Sequence, residues 1–211
     1  MLLVNITLTL VPALLLLVWA NRRVRTTGRL AGGILVATGS GIAAVAVAVA
    51  IGLLVDTLLP GMRAIRVLDA FVMAGLIEEG VKVSAAWLVS SRAGYASSRQ
   101  ATVAVAVAVG VGFALVENVY YLVDSPGVVL LRGVMAVPLH AGTSALIGRL
   151  LYRARGGSTV AAVAALLAPA ILHGTYDLLV GSAGWMMWLS IPLLVAIVIT
   201  ASVDLPGQGE E

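Results

Sequence analysis

The chain has 211 residues, 61% hydrophobic and 11% charged, with a formal net charge of +3 and a mean hydropathy of +1.07. Soluble domains carry about 25% charged residues, so this composition excludes a soluble globular domain and predicts an integral protein of the lipid bilayer. The absence of cysteine excludes a disulfide framework and a thiolate metal site, and arginines that fall mostly in loops set topology and are no nucleic-acid footprint.

The apolar blocks have helix length and predict an all-α, polytopic protein of about seven transmembrane helices. The first span runs from about Leu2 to Ala20 and is followed by Arg22, Arg23, Arg25 and Arg29. A cleaved signal peptide carries its positive charge before the apolar core, so this block is expected to stay as a span with its N-terminus outside. The second runs from about Leu30 to Val55. Its Ala-Val alternation from Val45 to Ala50 could pass for a strand, but 26 residues without an acidic or basic side chain predict a helix. Ala37-x-x-x-Gly41 would let a neighbouring helix approach closely. Pro60-Gly61 marks a turn.

The third span, about Val67 to Ser90, contains Glu78, Glu79 and the chain's only lysine, Lys82. A charge at the bilayer centre costs about 2.5–3.5 kcal/mol on insertion scales, so three within five residues require partners, water or a function. The fourth span, about Ala101 to Val123, ends in Phe113-x-x-x-Glu117-Asn118 and is closed by a turn at Asp124-Ser125-Pro126-Gly127. The fifth, about Val128 to Leu151, carries Arg132 near its start and His140 near its middle. The sixth, about Thr159 to Val180, carries His173-x-x-x-Asp177. The seventh runs from about Trp185 to Val203, with Trp185 and Trp188 as interface anchors, and Asp204 to Glu211 form a polar, disordered tail. The organisation expected is one membrane domain in three parts: residues 1–66 with two helices, a four-helix core over 67–181, and the last helix with its tail over 182–211. An outside N-terminus puts nine of the twelve arginines inside and Arg63, Arg66 and Arg132 outside, which predicts a cytoplasmic C-terminus. Arginine-rich, alanine-rich composition suggests a GC-rich bacterial genome, hence the bacterial plasma membrane.

On this topology Glu78, Glu79, Glu117, His140, His173 and Asp177 fall in one layer between the midplane and the outer leaflet. Lys82 lies three and four residues after the two glutamates, within reach of either. His173 and Asp177 are also one turn apart. Glu79 with Lys82 could be a self-satisfied ion pair, His173 with Asp177 an interhelical clamp, and Asn118 helix-packing glue. Taken together, the set holds the parts for peptide-bond hydrolysis: a base to activate water and donors for an oxyanion. Ser144 is the serine best placed for nucleophilic duty, but no Gly-x-Ser-x-Gly surrounds it. Three glutamates, two histidines and an aspartate could instead hold zinc or a metal pair, although no His-Glu-x-x-His is present. Intramembrane Glu/His chains also serve proton-coupled transporters, but the chain shows no inverted repeats.

Glu78-Glu79-x-x-Lys82, Phe113-x-x-x-Glu117-Asn118, the lone His140 and His173-x-x-x-Asp177, in that order on successive spans, resemble the PrsW family of glutamic-type intramembrane proteases. That family is related to the type II CAAX prenyl endopeptidases and to the APH-1 subunit of gamma-secretase. The resemblance covers about Val67 to Val180. It implies a metal-free, cofactor-free peptidase that acts on a single-span membrane protein, such as an anti-sigma factor in a signalling cascade. It implies Glu78 as the base, with Glu79, Glu117, His140, His173 and Asp177 as catalytic residues and Lys82 and Asn118 in support. In the related CAAX enzymes the last histidine and the residue four after it form the oxyanion site. Here that residue is Asp177 and not asparagine, and Glu117 stands where those enzymes have a histidine. The APH-1 relationship also allows a non-catalytic scaffold.

Overall fold

In the computed structural model, residues 2–26, 32–92, 98–124 and 129–203 are described, and every regular element among them is helical. Arg29, the Ser125–Gly127 turn and the polar tail lie outside the described residues. In chain order, α1 is Leu2–Thr26, α2 is Gly32–Leu58 and a short 3₁₀ turn covers Met62–Ala64. A continuous rod then passes through α3 (Arg66–Leu68), a π-helical stretch π1 (Asp69–Glu78) and α4 (Glu79–Arg92). Next come α5 (Arg99–Asp124), α6 (Val129–Arg155) and α7 (Thr159–Val180), a 3₁₀ turn at Gly184–Leu189 and α8 (Ser190–Val203).

The turns sit where backbone chemistry puts them. Gly61 takes φ 85° after α2, a conformation that glycine adopts without Cβ strain. After α6, Gly157 takes φ 92°, and the Ser158 side chain then caps α7 by accepting from the Ala161 backbone N–H. The last span differs from its expected form. It begins as 3₁₀ turns and becomes α-helical only at Ser190. Pro192 falls in the first turn of α8, where a missing N–H is tolerated.

Five segments among the described residues are long and apolar enough to cross a membrane: Gly32–Leu58, Arg99–Tyr121, Val134–Arg155, Thr159–Val180 and Gly184–Ala201. The protein is therefore a polytopic, all-helical membrane protein. The remaining two expected spans correspond to α1, whose apolar stretch is Leu10–Arg22, and to the π1–α4 rod with its site charges.

α5 and α6 form the centre of the bundle. Their apolar windows are each 78% buried, against 17–33% for α2, α7 and the last span. Along α5, the Ala-Val run from Ala101 to Val111 is buried throughout, as expected of a helix that is apolar all round. α1, α2, α4 and α6 all pack on α5, so the first two helices belong to the same body as the polar core. Gly41 lies on the backbone of Val109, which is the close approach of α2 to α5 anticipated for Ala37-x-x-x-Gly41.

At the end of the bundle away from the polar site, arginines tie helices together. Arg155 donates to Ser90 Oγ of α4, and to Thr102 Oγ1 of α5 at 3.1 Å. Arg149 is buried and donates to the carbonyls of Thr200 and Ala201 at 2.8 and 2.7 Å. A cation there complements the negative end of α8.

Candidate active site

Two close contacts set the positions of the site helices. Gly75 in π1 meets α7 so tightly that a Cβ there would stand 2.8 Å from the Ala170 carbonyl oxygen. One turn along α7, a Cβ on Gly174 would stand 2.7 Å from Phe71 Cδ1. The missing side chains let π1 and α7 approach backbone to backbone, and Glu79 reaches His173 as a result. Gly110 does the same between α5 and α6, where a Cβ would lie 2.6 Å from the His140 carbonyl oxygen. π-Helical turns are frequent at functional sites, and π1 ends at Glu78.

Glu79 is the hub. Its side chain is fully buried, and Oε1 alone accepts from three donors on three helices. Lys82 Nζ donates to it at 2.7 Å, and Thr143 Oγ1 at 3.3 Å. His173 Nδ1 lies 2.6 Å away. The buried lysine has a second polar neighbour, His140 Nδ1 at 3.0 Å, and sits 4.8 Å from the centroid of the Phe113 ring. On its other side, His140 Nε2 is 2.8 Å from Glu117 Oε2, within ion-pair distance. The two imidazoles meet edge to face, with centroids 5.0 Å apart. One connected network thus runs through π1–α4, α5, α6 and α7.

Glu78 differs from its neighbour. It is half-buried, and its Oε2 is shielded without a hydrogen-bond partner. One carboxylate oxygen of Glu78 and one ring nitrogen each from His140 and His173 lie within 4.8 Å of one another. The floor of the site is dry: the side chains of Glu79 and Lys82 are 0% exposed and that of His140 is 1%. Glu117 at 19% and Asp177 at 39% form its open rim.

All six residues expected to be catalytic therefore converge, though not with the expected pairing. Asp177 Oδ1 is 3.9 Å from His173 Nε2, so the one-turn clamp is loose and Glu79 holds that ring instead. Asn118 is buried beside Glu117, yet neither amide atom has a hydrogen-bond partner. Ser144 Oγ is also buried without a hydrogen-bond partner. One contributor was not singled out from the sequence: Thr143, whose one signal is its position three residues after His140 on the same helical face. Phe113, named in its motif, packs on His140, with centroids 5.6 Å apart, and under Lys82.

Glu78, His140 and His173 match in kind and number a donor set used by zinc hydrolases, two histidines and a glutamate. The contacts behind them divide the set. Metal-bound histidines place their second nitrogen against a carboxylate, a carbonyl or water, and His173 on Glu79 follows that pattern. His140 has an ammonium there instead. As arranged, the set does not fit a resident metal.

Comparison with known proteins agrees with the motifs. The family described as "PrsW family intramembrane metalloprotease" matches residues 28–203. A protein named Protease PrsW from Bacillus subtilis (strain 168) is 26% identical over 136 residues, 60% of this chain and 60% of its own length. Another of the same name from Clostridioides difficile (strain 630) is 26% identical over 146 residues, 64% of this chain and 60% of its own. The chain thus spans about 60% of the length of these curated relatives. No solved structure matches it.

Proposed function

The chain belongs to the PrsW family of intramembrane proteases, and from that premise we propose that it hydrolyses a peptide bond of a membrane-anchored protein. The observation that carries this reading is the meeting of Glu78, His140 and His173 within 4.8 Å over a dry, charge-balanced floor.

Glu78 takes a proton from a water held before it. The water oxygen attacks the substrate carbonyl carbon while the carbonyl electron pair moves onto its oxygen. The imidazoles of His140 and His173 face that developing oxyanion, in a water-poor site where hydrogen bonds act strongly. The intermediate then collapses, the C–N bond breaks, and Glu78 returns the proton to the leaving nitrogen. Glu79 and Lys82 do no chemistry in this scheme. They are a mutually neutralised pair that fixes both rings.

The substrate class is a single-span membrane protein of the anti-sigma-factor kind, which rests on the family resemblance. In this proposal seven spans cross a bacterial plasma membrane with the N-terminus outside, and the open rim of Glu117 and Asp177 faces the extracytoplasmic side. The family description favours a metal-dependent variant, in which Glu78, His140 and His173 would be the ligands and a bound divalent ion would supply a Lewis acid. The ammonium behind His140 speaks for the glutamate reading.

The test is cleavage of a panel of single-span substrates by purified protein in proteoliposomes. Wild-type cleavage that disappears in Glu78→Gln supports the peptidase. Equal cleavage by that variant sinks the mechanism, and a wild type that cuts nothing on the panel favours a scaffold.

A further inference from the structure

Lys82 is completely buried, and its ammonium faces one carboxylate oxygen and one imidazole nitrogen. The second contact has a direction that chemistry fixes. An ammonium has three N–H donors and no lone pair. At 3.0 Å from Lys82 Nζ, His140 Nδ1 must therefore accept. A doubly protonated ring would set N–H against N–H at that distance. The ring is then neutral, with its single hydrogen on Nε2. On the far side of the ring, Nε2 lies 2.8 Å from Glu117 Oε2, an ion-pair distance without hydrogen-bond geometry.

From the Lys82 contact we infer that Lys82 is a positioning residue that holds His140 in its Nε2–H tautomer, making Nε2 a hydrogen-bond donor for the substrate's carbonyl oxygen. The catalytic use of that donor rests on the peptidase reading; the tautomer itself does not. His173 Nδ1 faces the Glu79 carboxylate and donates. The two rings meet edge to face, with centroids 5.0 Å apart. Ligation of a metal by His140 would require its proton to move to Nδ1, against the ammonium.

The chain has only two histidines, so ¹⁵N-histidine labelling of the purified full chain in detergent gives four ring-nitrogen signals. His173→Gln assigns them by difference. The expected result is that His140 Nε2 carries the hydrogen and Nδ1 does not. Lys82→Met is expected to populate the Nδ1–H form, and Lys82→Arg, which keeps a cationic donor, to restore the wild-type pattern. Zinc added to the wild type is expected to leave the His140 signals unmoved. A hydrogen on His140 Nδ1 in the wild type, an unchanged pattern in a folded Lys82→Met, or a zinc-induced shift at His140 would each overturn the inference. The wild-type spectrum decides even where Lys82→Met does not fold. A preparation that shows the expected spectrum but cuts no substrate removes the peptidase reading and leaves the tautomer assignment standing; active protein with the opposite tautomer does the reverse.

Discussion

His173 Nδ1 stands 2.6 Å from Glu79 Oε1 although 94 residues separate the two in the chain. The same oxygen holds Lys82 and Thr143, so one buried carboxylate fastens three helices. Removing its charge strands an ammonium in the bundle. Breaking a buried pair from one side costs about 3–5 kcal/mol, and Glu79→Gln should lower the thermal midpoint of the detergent-solubilised protein accordingly. Glu78, whose Oε2 has no partner, should behave oppositely. Glu78→Gln should leave the midpoint nearly unchanged and lower cleavage by about 10²–10⁴-fold, the span of general-base catalysis. Equal stability losses in the two variants would contradict this division.

Coupling between Glu79 and Lys82 gives a second expectation. Each single methionine variant leaves the partner's charge buried, whereas the double variant removes both. Neighbours in one network depart from additivity by about 0.5–3 kcal/mol. Glu79→Met with Lys82→Met should therefore lose less stability than the two single losses added together. Denaturation of the four proteins under one detergent condition measures it, and additive losses would show that the 2.7 Å contact carries little energy.

The ionisable residues of this network were legible in the sequence, while Thr143 and the wiring were not. Charges inside an apolar run are conspicuous because few side chains can be there without a reason, and helix-length blocks place them at a common depth. Local spacing then favours one-turn partners, which is why His173 pairs with Asp177 on paper. In the fold, Glu79 takes His173 Nδ1 at 2.6 Å while Asp177 stays 3.9 Å from Nε2, because π1 and α7 touch through glycines, a contact between distant segments that no helical period encodes. π1 was likewise hidden, since its residues are ordinary for an apolar helix. α8 shows the reverse case: Pro192 was visible, but the 3₁₀ entry ahead of it depends on how the chain leaves α7.

Those glycines supply a third expectation. A methyl group at Gly75 would lie 2.8 Å from the Ala170 carbonyl oxygen, a backbone atom with little room to give. Overpacking costs about 1–3 kcal/mol, and it would push π1 off α7 and lengthen the Glu79–His173 contact. Misplacement of about 1 Å can cost 10²-fold in rate, so Gly75→Ala should lose activity out of proportion to stability. Gly39→Ala is the control, because nothing lies within 4 Å of a Cβ there. A fully active Gly75→Ala protein would show that the close approach does not position the site.

The polarity of the Lys82–His140 contact bears on whether metal removal matters. Three donor atoms within 4.8 Å would suit a divalent ion on distance and kind alone. Yet a ring whose Nδ1 accepts from an ammonium has its proton on the nitrogen a metal would need, and metal binding requires that proton to leave. Ligation would therefore work against a buried charge pair that the fold has already assembled. Prolonged dialysis of purified protein against a strong chelator should leave cleavage unchanged, and elemental analysis of active protein should find far less than one metal ion per chain. Glu78→Gln should remain inactive when zinc is supplied. Loss of cleavage on chelation, restored by stoichiometric zinc, would instead make Glu78, His140 and His173 ligands. It would then require Lys82 to move off His140 when the metal binds.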